Sequence, residues 1–364
     1  MADAKVRALL SLHQGSGSGS ALSVVRLALG LARRGVDVGL ICPPDSEVEA
    51  TARAGGLTVF PLPLARAGRR ANAGALSALL GRWPADLIDS HGSRDREALT
   101  WLGLTRRLNI PAIFTRRSYP RTSWLENWLA ARVAACVVAM SEPVRDALRR
   151  HGVPDRKIVV IHDGVLLDRL DGPVPPADVA AWRARIGWEP SRRTVAIVAR
   201  PKDQGVVLAA LPLVRTPVRL VLVGLHGKAL HGPLPRHPDR HAVVRLPFVA
   251  EVRPLYELVE LALHPSRFDA LPQSVLEALA LGKPVIASRA TGNAVIVRDG
   301  TDGRLVDPTR PAAWAEAIDE LLRDPEAAAR LGAAGRRRAR ADFSHELTLD
   351  RTVALYHSVS GHSG

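Results

Sequence analysis

Apolar residues recur along this chain in short runs, each followed by a polar or glycine-bearing turn and then by a longer amphipathic stretch. Strands of a parallel sheet read this way, because both faces are covered and no polar face alternates with the apolar one. Residues 5–12 read as a first strand, 13–20 (HQGSGSGS) as a loop, and 21–34 as an amphipathic helix closed by Gly35. Strand signals follow at 36–42, 57–62, 87–90, 110–115, 134–140 and 157–162, with helices at 47–55 and 73–82 and a capping signal at Ser141-Glu142-Pro143. The rhythm breaks at 172–190, where Pro173, Pro175 and Pro176 suggest a connector. It restarts with strands at 194–199, 218–224, 243–246, 261–264, 284–288 and 303–306, and helices at 206–211, 252–259, 272–281, 312–322 and 325–340. A terminal helix spans 343–359, and 360–364 reads as frayed. The alternation predicts an α/β protein of two Rossmann-like domains, 1–171 and 191–342, joined by 172–190 and followed by a terminal segment, 343–364.

The stretch LALHPSRFDALPQSVLEALALGKPVIAS (261–288) concentrates the chemistry. It reads as strand, loop, helix and strand, with Pro272 at the helix opening and Gly282 at its close. The helix carries one charge, Glu277, among Val275, Leu276, Ala278, Leu279, Ala280 and Leu281, so it is expected to be buried nearly all round. A buried carboxylate needs a hydrogen-bonding partner. Asp269, eight positions earlier in the loop, can share a pocket with Glu277 at the helix mouth, where unpaired N–H groups attract anions. Two acceptors flanking an anion site suit a ligand with phosphate in the middle and hydroxyls at both ends, such as a nucleotide sugar. An N-cap aspartate and a satisfied core glutamate would leave the same spacing. Three further places read as candidates on position alone. Gly15, Gly17 and Gly19 let the backbone of the first loop approach a ligand, or make it a flexible linker. His91 ends a strand, in a site or as a structural residue. Arg200 and Lys202 end the first strand of the second domain, where two cations suit a diphosphate.

The 261–288 string resembles the donor-binding signature of family-4 glycosyltransferases, in which two glutamates separated by seven residues precede a G-x-P-V-I/V-A-S strand. By that resemblance Glu277 holds the ribose hydroxyls and Asp269, a methylene shorter than the usual glutamate, contacts the transferred sugar. Ala270, Leu271, Pro272 and Gln273 match the segment whose backbone amides meet the donor, with Ala270 in place of a usual glycine. Arg200 matches a family arginine, and Lys202 stands in for a lysine usually found where Gln204-Gly205 lies. His91 takes the place of a histidine beside the reaction centre, and His162-Asp163-Gly164-Val165 resembles an interdomain turn. Thr291-Gly292-Asn293-Ala294-Val295 replaces a glycine–glycine–x–x–Glu stretch without its glutamate. The resemblance implies a GT-B fold with two domains facing a cleft, a terminal helix returning to the N-terminal domain, and transfer from a nucleotide sugar with retention of configuration. It implies neither metal nor cofactor. UDP, GDP and ADP stay open as the nucleotide, and a glycan or a lipid-linked molecule as the acceptor. A non-catalytic nucleotide-sugar-binding protein of the same fold is the alternative.

Composition narrows this further. The 364 residues are 47% hydrophobic and 24% charged, with no apolar run of membrane-spanning length. Cys42 and Cys136 lie in strand-like runs and are expected to be reduced core residues of a cytoplasmic protein. The net charge of +14 points to anionic partners. At 4% aromatic and with no recognised module, the chain does not read as a nucleic-acid binder. Much of the excess charge lies between 60 and 133, where Arg106, Arg107, Arg116, Arg117 and Arg121 accompany Trp124 and Trp128, one helical turn apart. That stretch is expected to dock on an anionic membrane at the inner face of the cytoplasmic membrane; tryptophans packed on the sheet would be the plainer outcome.

Overall fold

The structure, a computed structural model, describes residues 5–15, 19–64, 68–234 and 239–361. The chain divides into two compact units, Met1–His162 with Leu347–Gly364, and Asp163–Glu346.

The first unit is built on a parallel sheet of β1 (Arg7–Ser11), β2 (Asp37–Cys42), β3 (Thr58–Pro61), β4 (Leu87–Ser90), β5 (Ala112–Arg116), β6 (Cys136–Ala139) and β7 (Ile158–Val160). Its order is β3-β2-β1-β4-β5-β6-β7, so the winding reverses between β1 and β4. Every residue of β4 and β5 is buried, as strands covered on both faces must be. The helix His345–Ser360 belongs to this unit from Leu347 onward. Leu349 and Tyr356 are fully buried in its core, and Tyr356 Oη donates to Asp89 Oδ2 at 2.8 Å. Cys42 and Cys136 are free and buried, and burial pushes their thiols up to about 11 and about 12.

The second unit carries β8 (Arg193–Val198), β9 (Val218–Val223), β10 (Ala242–Leu246), β11 (Leu261–His264), β12 (Val285–Ser288) and β13 (Arg304–Val306), all parallel, in the order β10-β9-β8-β11-β12-β13. Alternate residues of β8 serve opposite faces: Val195 and Ile197 pack with Trp314 and Ile318 of the helix Pro311–Arg323, and Ala196 with Val275 and Leu279 of Gln273–Ala280.

The division between units falls at His162, ahead of the proline-bearing stretch expected to connect them. That stretch is no linker. Pro176 opens the helix Pro176–Ile186, whose first turn needs no N–H from it, and Gly187 closes it with φ 61°. Trp182 and Ile186 are buried in the second unit's core. The turn at Gly164 is constrained too, since a Cβ there would lie 2.2 Å from the Ser344 carbonyl oxygen.

Candidate functional site

In the second unit the winding reverses between β8 and β11, so the loops leaving these two strands meet at the carboxyl end of the sheet, the place where folds wound this way bind ligands. The loop after β8 brings Arg200, Lys202, Asp203 and Gln204; the loop after β11 brings Arg267, Phe268, Asp269 and Ala270. Side chains clasp one loop to the other. Asp203 accepts from the Arg267 backbone N–H at 2.8 Å and from Arg267 Nε at 3.0 Å. Lys202 Nζ forms an ion pair with Asp269 Oδ1. The second carboxylate oxygen of Asp269 lies 3.0 Å from His264 Nε2, and Ser274 Oγ lies 3.4 Å from His264 Nδ1. Burial alone would push the Asp269 carboxyl up; the His264 and Lys202 contacts outweigh it and hold the group well below the usual carboxylate range. Asp269 is therefore an ionised acceptor at neutral pH, and His264, 5% exposed, is a support the sequence reading missed.

The Asp269 loop is braced from behind. Gly292 N donates to the Asp269 carbonyl at 2.9 Å, and a Cβ on Gly292 would come within 2.5 Å of the carbonyl oxygens of Asp269 and Ala270. Asn293 Nδ2 donates to the carbonyls of Ser266 and Ser288. The stretch marked in the sequence for its missing glutamate thus has work of its own. Beyond the loop, Pro272 precedes the helix, its carbonyl takes the N–H groups of Val275 and Leu276, and Gln273 Nε2 donates to the Asp163 carbonyl at 2.7 Å. The N–H groups of Gln273 and Ser274 head the helix ahead of that ladder. Leu271 is 8% exposed and belongs to the core. Glu277 is half-buried one turn into the helix, and its charge, after burial, helps push the Tyr256 phenol up. Arg200 is exposed on the β8 loop, its carbonyl fixed by Gln204 Nε2 at 2.8 Å. Phe268, beside Asp269, is 75% exposed; an aromatic next to the acid was the signal for it.

In the first unit Gly17 lies outside the described residues, and Gly19 opens the helix Gly19–Arg33. Gly15 is close-packed: a Cβ there would lie 2.7 Å from Ser46 Cβ. The ring of His91 is 1% exposed, with Nε2 3.4 Å from Asp89 Oδ2, so it faces the interior and not the open end of the strand. The more open histidine of this region is His13, 11% exposed in its side chain, with Nδ1 3.2 Å from Asp95 Oδ1.

The basic surface is smaller than its arginine count. Arg106, Arg107 and Arg121 are exposed. Arg116 is not: it ends β5, 7% exposed, with Nη1 2.9 Å from Asn127 Oδ1, and burial beside Arg96 pushes it down to about 9. Arg117 donates to Ser23 Oγ at 2.8 and 2.6 Å. Trp124 and Trp128 share a face of the helix Trp124–Val133, stacked at 6.1 Å, with Arg132 over Trp128. Trp124 and Leu125 are each 55% exposed. Among the described residues no helix is long and apolar enough to cross a membrane.

Residues 17–169 match the family model described as Glycosyltransferase Family 4, and 192–324 match Glycosyl transferases group 1. A D-inositol 3-phosphate glycosyltransferase of Mycobacterium tuberculosis (strain ATCC 25618 / H37Rv) is 34% identical over 242 residues, 62% of this chain and 48% of that protein. The chain therefore spans about half the length of the curated relatives it matches. Among solved structures, Anabaena Alr3699/HepE in complex with UDP and glucose has a TM-score of 0.80 at 20% identity, covering 97% of this chain and all of that one. A glycosyltransferase from Rickettsia africae ESF-5 has a TM-score of 0.83 at 18% identity, covering 99% and 100%. At these identities the likeness is one of fold.

Proposed function

We infer that this chain, which belongs to the family-4 glycosyltransferases of GT-B architecture, transfers a sugar from a nucleoside-diphosphate donor to a hydroxyl-bearing acceptor. The observation that carries the reading is the Lys202–Asp269 pair at the switch point of the second sheet, where a cation suited to phosphate and an ionised acceptor suited to a sugar hydroxyl lie side by side. Arg200, Lys202 and the N–H groups heading Gln273–Ala280 would bind the diphosphate and stabilise the charge it gains on departure. Asp269, propped by His264, would hold the sugar, and Glu277 the ribose. Phe268 offers an exposed ring face at the same mouth. Configuration at the anomeric carbon is retained in this reading, and no metal takes part. His91 could touch a substrate only after its ring left the pocket beside Asp89.

UDP-glucose is the first donor to test, since the Anabaena neighbour was solved with UDP and glucose. Titration calorimetry with UDP-, GDP- and ADP-sugars, followed by transfer assays and NMR of the product anomer, tests the reading. Failure of every donor to bind at millimolar concentration refutes it. Binding without turnover on any acceptor supports instead a nucleotide-sugar-binding protein, the alternative favoured by the shortened acid at Asp269.

A lipid-linked acceptor is favoured by the Trp124–Trp128 stack, with Leu104, Leu125, Arg106, Arg107 and Arg121 all exposed in the same stretch of sequence. Arginines near an anionic bilayer are worth about 1 kcal/mol each, enough for reversible attachment. Co-sedimentation with phosphatidylserine vesicles should weaken with salt and fall when Arg106, Arg107 and Arg121 become Gln. Equal recovery with neutral vesicles would favour a soluble acceptor.

A further inference from the structure

Behind His264 the second unit has a small cavity, walled by β8, β11 and the helix Gln273–Ala280. Alanines leave the room: Ala196, Ala262 and Ala278 stand where larger side chains would close a parallel sheet onto its helix. The polar residues of the lining are Tyr256, Ser274 and His264. Tyr256 ends the short helix Arg253–Tyr256 and is 2% exposed, in one apolar cluster with Val275, Leu276 and Leu279. Burial, and then the charge of Glu277, push its phenol up, so it stays a neutral donor. Among the described residues no hydrogen bond engages that hydroxyl. Buried hydroxyls nearly all find a partner, so this one calls for an acceptor. Ser274 and Ala278 line the cavity one turn apart, and Glu277, three positions after Ser274 and half-buried, flanks the same face of the helix.

We propose that Tyr256 is a positioning residue for Glu277: as the ribose of the donor closes over the carboxylate, the Tyr256 hydroxyl donates to one of its oxygens and leaves the other to the ribose diol. A carboxylate stripped of water needs more than one donor, and Tyr256 supplies the one that water gave up. Tyr256 touches no substrate and acts through Glu277 alone. The proposal rests on the reading of Glu277 as the ribose-binding acid. The motif around Glu277 gives no sign of it, because Tyr256 comes from the element before β11.

A double-mutant cycle on binding separates this role from packing. Tyr256→Phe keeps the ring and removes only the hydroxyl; Glu277→Ala removes the acid. Uridine and UDP are titrated by calorimetry into the wild type, both single variants and the double variant, and each protein's melting temperature is measured. Tyr256→Phe should weaken uridine and UDP alike, by about three- to tenfold, the worth of one hydrogen bond. Its melting temperature should be unchanged or higher, since the hydroxyl has no partner to lose. KM for UDP-glucose should rise by the same factor with kcat kept, because the ribose contact is common to ground and transition states. In the Glu277→Ala background, Tyr256→Phe should weaken binding no further. Unchanged uridine affinity in Tyr256→Phe, or an equal loss with and without Glu277, overturns the proposal and leaves Tyr256 a core residue. Coupling of Tyr256 to Ser274→Ala in place of Glu277 overturns it too, by turning the hydroxyl toward His264. A wild type that binds neither uridine nor UDP takes the proposal down together with the nucleotide-sugar reading, whereas binding without coupling leaves that reading standing.

Discussion

Replacing Lys202 by methionine keeps an unbranched stem as far as Cε and removes the ammonium that Asp269 holds. The two side chains are 29% and 20% exposed, between a solvated pair and a sealed one. Exposed pairs contribute about 0–1 kcal/mol, and breaking a buried pair costs about 3–5 kcal/mol. Here His264 still supports the carboxylate, which places the loss between the two ranges and toward the lower, at about 1–2 kcal/mol. For a unit of this size that is a fall of about 2–8 °C in the second unit's melting temperature. The pH dependence has a definite sign. Asp269 is held below its unfolded value, so its contribution is fully present above about pH 4 and is lost as pH falls through the lower folded-state value. The difference between wild type and variant should therefore be full at pH 7 and shrink only in strong acid. The functional effect is separate. If Lys202 moves from Asp269 to the diphosphate, the variant forfeits one contact between charged groups, about 1.5–3 kcal/mol, or roughly ten- to a hundredfold in UDP affinity. Uridine, which has no phosphate, should bind wild type and variant alike. Titration calorimetry with both ligands is the assay. Unchanged or tighter UDP binding by the variant would show that Lys202 serves only Asp269, and the phosphate assignment would fall.

Glu277→Ala should weaken UDP and uridine together, by about 1–3 kcal/mol each, because the ribose is common to both; loss confined to UDP in the same titration would contradict the ribose assignment. Asp269→Glu moves the carboxylate outward by one methylene and should shift preference among UDP-sugars while leaving UDP affinity alone; competition assays across a donor panel read this, and equal effects on UDP would make Asp269 a brace for the loop. Gly92→Ala should lower the melting temperature of the first unit, since the added methyl meets Asp95 Oδ1 and His13 Nδ1 at 2.2 Å, while UDP binding persists; unchanged melting in calorimetry would mean the Asp95 site yields easily.

The sequence by itself determined the two sheets and the elements around the Asp269 loop. Parallel strands buried on both faces leave runs such as 194–199 and 218–224 that no surface element would carry, and β8 and β9 formed there. The motif bearing Asp269 and Glu277 is local, so spacing alone placed one acid in the loop and the other a turn into Gln273–Ala280. Other local signals misled. Three prolines suggested a connector, yet proline also opens helices, and the burial of Trp182 and Ile186 decided the outcome. The helix Trp124–Val133 has little contrast between its faces, so periodicity could not announce it. Arginines count alike in a net charge wherever they lie, and only the packing of β5 against Asn127 showed that Arg116 is inside. The long-range side-chain pairings were out of reach for the same reason. Lys202 meets Asp269 across 67 positions because β8 lies beside β11, and His13 meets Asp95 because β1 lies beside β4. Periodicity reports which face of an element is covered; which element covers it, and what charge meets what, is decided when the strands choose their neighbours.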